Sequence, residues 1–182
     1  MPLSKNKIVG AAITLSLLTV LTNTYYPKLF YFLVFASIGL ISKYYKAVYA
    51  VSFLIIDLTD FFVILAFYKL GSTYAFALVP IFAYFYLVTG LYGNEGPTDC
   101  TSRFIGHLLN TLLLFYTAAV YPPATVFFIY ILLAGLIWGT NQMLMFHIIN
   151  PVYYPIAICR AALYWRVLPY LLPLIGLATI PP

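Results

Sequence analysis

The sequence predicts an all-α, polytopic transmembrane helical bundle: six spans, then a proline-broken C-terminal segment that is interfacial, re-entrant or a seventh span. Three observations carry this. The chain is 64% hydrophobic and only 7% charged, against roughly 25% charged in a soluble domain. Its apolar stretches are long and recur from end to end. They also do not alternate. Runs such as FFVILAF and VFFIYILLAGLIW lack the apolar-polar repeat of a membrane β-barrel strand.

A transmembrane helix needs about 20 mainly apolar residues, and the chain divides accordingly. The first span is predicted over Ile8–Tyr25, read as a retained helix rather than a cleaved signal, because no small-x-small site follows it. Asn23 to Lys28 form an interfacial turn. The second span covers Leu29–Tyr45 and ends at Lys43 and Lys46. The third covers Ala47–Tyr68, and Lys69-Leu70-Gly71-Ser72 is the next turn. The fourth covers Thr73–Tyr92, with a kink expected at Pro80. Residues 94–104 then form a polar cytoplasmic loop, the longest polar interval in the chain. The fifth span covers Ile105–Tyr121, Pro122-Pro123 forces a tight reversal, and the sixth covers Ala124–Ile148. Residues 149–182 comprise a short interfacial helix over Ile156–Arg166 and an apolar tail interrupted by Pro169 and Pro173. Residues 1–182 are thus one integral membrane domain.

Charge supports the layout. The side shared by the N-terminus, the second-third loop, the fourth-fifth loop and the segment after the sixth span holds Lys5, Lys7, Lys43, Lys46, Arg103, Arg160 and Arg166. The opposite side holds Lys28 and Lys69. Cytoplasmic loops carry the excess of Lys and Arg, so the N-terminus is expected to be cytoplasmic. The net charge of +5 reports topology here, and no nucleic-acid partner is expected. Aromatics at predicted span ends, such as Tyr44, Tyr45, Tyr68, Tyr92 and Tyr121, fit an interfacial belt.

The strongest functional signal is an acid pair. Asp57 and Asp60, half of the four acidic residues, fall within the third span. A carboxylate at bilayer depth is costly and usually faces a partner, a cavity or a transport path. Three apart on a helix, the two share a face and repel when both are ionised. They are candidates for a proton or cation site; the competing reading is interhelical hydrogen bonding that fixes packing. A second group, His107 and Asn110 on the fifth span with Asn141 and Gln142 on the sixth, is placed at similar height by the Pro122-Pro123 turn and is expected to form a polar seam. Arg160 and Arg166, amid tyrosines and Trp165, are candidates for lipid headgroups or an anion; the plainer reading is positive-inside anchoring.

Other chemistry lacks its residues. The sequence has no G-x-x-x-x-G-K-[ST], G-x-G-x-x-G, H-E-x-x-H or G-x-S-x-G motif. Its two cysteines, Cys100 and Cys159, are far apart. His107 and His147 fall at different heights, so no haem is expected, and no metal or other cofactor either. The functional expectation is a membrane-embedded, non-catalytic subunit of a larger energy-transducing or transport complex, carrying an intramembrane proton or cation site. Its partners would be the bilayer and other membrane subunits. The alternatives are an autonomous small proton- or cation-coupled carrier or channel, and a membrane enzyme acting on lipid.

Overall fold

A computed structural model describes residues 26–49, 58–85, 97–146 and 153–177. Every element among them is helical: α1 (Pro27–Tyr49), α2 (Leu58–Lys69), α3 (Ser72–Ala83), α4 (Pro97–Val120), α5 (Pro123–Phe146) and α6 (Tyr153–Leu174). The first predicted span lies outside the described residues.

Prolines and glycines set the boundaries. α4 and α5 both open on proline, whose fixed φ and missing N–H suit the first helical position. Between them only Tyr121 and Pro122 lie outside the helices, so α4 and α5 form a tight antiparallel hairpin. Gly71 joins α2 to α3 at φ 110, a backbone region that side-chain-bearing residues avoid. α6 ends in a Schellman motif: the amide of Leu177 donates to the carbonyl of Leu172 (2.8 Å) and that of Gly176 to Pro173 (3.0 Å), with Gly176 at φ 65.

Two stretches differ from the sequence reading. The polar loop assigned to residues 94–104 is helical from Pro97 onward. The C-terminal region, expected to break at its prolines, is one 22-residue helix through Pro169 and Pro173. Each proline removes one N–H from the helix ladder, but Leu168 and Leu172 beside them are fully buried, and their packing holds the helix through both sites.

Among the described residues two helices, not six, are long and apolar enough to cross a membrane, Cys100–Val120 in α4 and Pro123–Asn141 in α5. α1 and α6 have the length, but Lys28 and Lys43 in one and Arg160 and Arg166 in the other lower their apolar character. The described parts of α2 and α3 are 12 residues each.

α2 is the centre of the bundle. Its residues from Thr59 to Ala66 are buried on every face, the signature of a helix surrounded by others. Aromatic rings tie it to its neighbours: Phe62 stacks on Phe35 of α1 (5.3 Å), Phe67 meets Phe115 of α4 edge-on (5.4 Å), and Phe61 lies against Phe127 of α5 (5.3 Å) and Tyr164 of α6 (6.3 Å). Such pairs contribute about 0.5–1.5 kcal/mol each beyond the area they bury. At the far end Lys69 of α2 donates to the carbonyl of Gly176 (3.1 Å). α2 and α6 therefore run parallel, with Asp60 and Arg160 at one end and Lys69 and Gly176 at the other.

Candidate functional site

Asp60 lies in the first turn of α2 and is 2% exposed. Its Oδ2 accepts a hydrogen bond from Nη2 of Arg160 on α6 at 2.8 Å. Its Oδ1 lies 3.2 Å from Nδ1 of His107 on α4 and takes no hydrogen bond. Thr59, Val63, Val79 and Phe82 complete the wall around the carboxylate and His107, so closely that no space for a water molecule is left.

Each partner sits deeper than its place in the sequence suggested. The sequence puts His107 in the first turn of a fifth span that starts at Ile105. Since α4 begins at Pro97, it stands ten residues into the helix, about 15 Å along the axis at the α-helical rise. The sequence makes Arg160 a candidate for lipid headgroups or an anion. Since α6 begins at Tyr153, it stands about 10 Å in and its charge is matched inside the bundle. Arg166, one and a half turns on, is exposed. Asp57 lies outside the described residues, as does His147.

The predicted seam between α4 and α5 is made of separate links. Asn110 donates through Nδ2 to the backbone carbonyl of Tyr130 (2.8 Å). The Tyr130 hydroxyl lies 3.1 Å from Thr111 Oγ1, which donates to the carbonyl of His107 (2.7 Å); with its proton so used, Thr111 accepts from Tyr130. Asn141 donates over a longer distance to the carbonyl of Ser102 (3.4 Å). Asn110 and Asn141 therefore both bond across the hairpin, though not to each other, and His107 turns away to α2. Gln142 lies in the last two turns of α5, and its side chain is outside the described set.

One member of the polar centre escaped the sequence reading. Lys43, taken as a charge ending the second span, is 2% exposed. Its Nζ donates to the carbonyl of Phe82, in the last turn of α3. A lysine there satisfies a helix-terminal carbonyl and meets the negative end of the helix dipole. The signal was one turn upstream. Gly39 stands four residues before Lys43, on the same face, and a Cβ there would lie 2.5 Å from the Phe82 ring. Its missing side chain admits the ring, and Lys43 takes the same residue's carbonyl.

Lys43, Asp60, Phe82, His107, Asn141 and Arg160 come from six different helices, and all lie toward the same end of the up-and-down bundle. The opposite half of the core is apolar and aromatic, with Leu114, Phe127, Leu168 and Leu172 fully buried. Among the described residues no three His, Cys, Asp or Glu side chains gather in a way that would hold a metal ion. What the arrangement offers chemically is a buried carboxylate with one permanently charged partner and one protonatable partner. Comparison with family models, with characterised proteins and with solved structures finds no match.

Proposed function

We propose that this chain is an integral membrane protein, a multi-pass helical bundle that serves as an embedded, non-catalytic subunit of a larger membrane complex. The observation that carries the reading is an apolar outer surface around a core that also holds a few polar side chains. Lys43, Thr59, Asp60, Ser102, Asn110 and Thr111 are buried. Outward stand large apolar side chains, among them Ile41, Leu109, Leu112, Tyr116, Val120 and Leu144, each 45–76% exposed. So many large apolar side chains turned outward fit a lipid or protein environment better than water. The two apolar helices agree: 22% of the α4 span and 35% of the α5 span is buried in the bundle, so neither has the shielding of a soluble core helix.

The state of the acid favours a structural component over a carrier at rest. Asp60 is paired within the molecule and closed to water, as in a polar knot that holds α2, α4 and α6 together. The continuous α6, about 33 Å long by its 22 residues, matches the roughly 30 Å hydrocarbon core and supports reading it as a further span. The charge asymmetry still favours a cytoplasmic N-terminus. Lys43 and Arg160 belong to the interior and Arg166 lies within α6, which leaves Lys5, Lys7, Lys46 and Arg103 against Lys28 and Lys69.

The test is purification of the tagged full-length chain in mild detergent at native expression level. The expected result is a species well above 20.5 kDa containing fixed partner proteins. A monodisperse single chain that moves protons or cations in vesicles by itself would replace this reading with the carrier.

A further inference from the structure

The carboxylate of Asp60 is 3% exposed, and its walls leave no room for water. Among the described residues, two partly exposed side chains bridge it to the outside of the bundle. Arg160, 21% exposed, holds Oδ2, but a guanidinium keeps its protons and does not relay them. His107, 19% exposed, sets Nδ1 3.2 Å from Oδ1, the carboxylate oxygen that takes no hydrogen bond. An imidazole can receive a proton on one ring nitrogen while releasing one from the other.

We propose that Asp60 and His107 form a proton-exchange site in which His107 carries protons between the outside of the bundle and the buried carboxylate. The neutral ring, protonated on Nδ1, accepts a proton at Nε2 from a hydronium ion at the aqueous end of the bundle, which leaves as water. The ring then turns to bring Nδ1–H into line with Oδ1, with which it makes no hydrogen bond at rest, and passes that proton to Asp60. The carboxylate becomes a neutral acid, and the ring is left neutral with its proton on Nε2. One proton has entered and the charge of the site has risen by one. The reverse sequence discharges it. Among the described residues, the other ionisable groups that face the carboxylate are Arg160 of α6 and Tyr130 of α5, close enough to feel the Asp60 charge; Lys43 of α1 is held on the carbonyl of Phe82, which lines the same wall. α3 contributes only Val79 and Phe82 to the wall. Lys43 and the hydrogen-bonded Tyr130 are poor carriers near neutral pH, which leaves the transfer to His107.

The experiment is a pH jump, from about 8 to about 4 so as to cross the ordinary histidine and carboxylate ranges, on the full chain in lipid nanodiscs. Time-resolved infrared follows the carboxylic acid C=O band, and Asp60→Asn assigns it. His107→Gln keeps a polar group of similar reach that relays no proton; His107→Phe fills the site without one. Both are expected to slow the Asp60 band at least about tenfold, a small part of what positioned proton transfer supplies. Added imidazole is expected to restore the rate in His107→Ala. Wild-type rates in the Gln and Phe variants, or no Asp60-dependent band in the wild type, would overturn the proposal. If the Phe variant fails to fold, the Gln variant decides. The readout is on the carboxyl itself, so it is independent of whether the chain has partner subunits.

Discussion

At the scale of single residues, the placement of Asp60 depends on Arg160. Removing one member of a buried ion pair strands the other charge, at a cost of about 3–5 kcal/mol, whereas replacing both with apolar groups of similar volume is often neutral. Arg160→Ala is therefore expected to destabilise the bundle by about that amount, and Asp60→Leu combined with Arg160→Met to recover most of it. Denaturant or thermal unfolding in detergent measures both. If the double variant is as damaged as the single one, the pair does more than balance charge. A carboxylate within an apolar run was legible in the sequence as a group in need of a partner. Which partner was not, because Asp60 and Arg160 are 100 residues apart and meet only when α6 lies parallel to α2. Lys43 was misplaced for a related reason. A lysine near a span end reads as topogenic, and only the packing of Phe82 against Gly39 shows that it points inward.

At the scale of helices, the contact between α5 and α6 depends on small residues. A Cβ added to Gly135 would collide with Cβ of Ala157 and lie 3.2 Å from its Cα. Backbone atoms cannot move aside as a flexible side chain can. Gly135→Leu is expected to cost about 1–3 kcal/mol through overpacking and to separate α5 from α6. The same unfolding assay, with cysteine crosslinking between the two helices, reports it. The helical class and the sharp Pro122-Pro123 turn were evident from composition and local chemistry, and they carried over directly into α4 and α5. Helix starts were not. Moving the beginning of α4 from Ile105 to Pro97 carries His107 inward by more than two turns, and that shift brings it to Asp60.

At the scale of the whole molecule, the outer surface decides the environment. Leu109, in the middle of α4, is 50% exposed. In water an exposed Leu109→Asp change would be nearly silent. Facing lipid at mid-span, it is expected to cost about 2.5–3.5 kcal/mol of insertion, seen as reduced membrane integration and lower yield in the membrane fraction. Unchanged integration would move α4 away from the lipid face. The six-span count predicted from hydropathy rested on window averages. α1 and α6 fall short because the charged residues within them, Lys28, Lys43 and Lys46 in one and Arg160 and Arg166 in the other, lower their apolar character; of these, Lys43 and Arg160 serve the polar centre.

Composition and local chemistry alone establish a helical chain unusually poor in charge, with few acids, and a hairpin dictated by adjacent prolines. Those properties are local or compositional, and they need no knowledge of which segments meet. The packing of the helices is what makes α2 central, turns Lys43 and Arg160 inward and sets His107 against Asp60. Such contacts depend on helix start points and rotations, where a shift of one residue turns a side chain by about 100°. The acid pair that stood out in the sequence thus became, for Asp60, one carboxylate held between a fixed cation and a histidine.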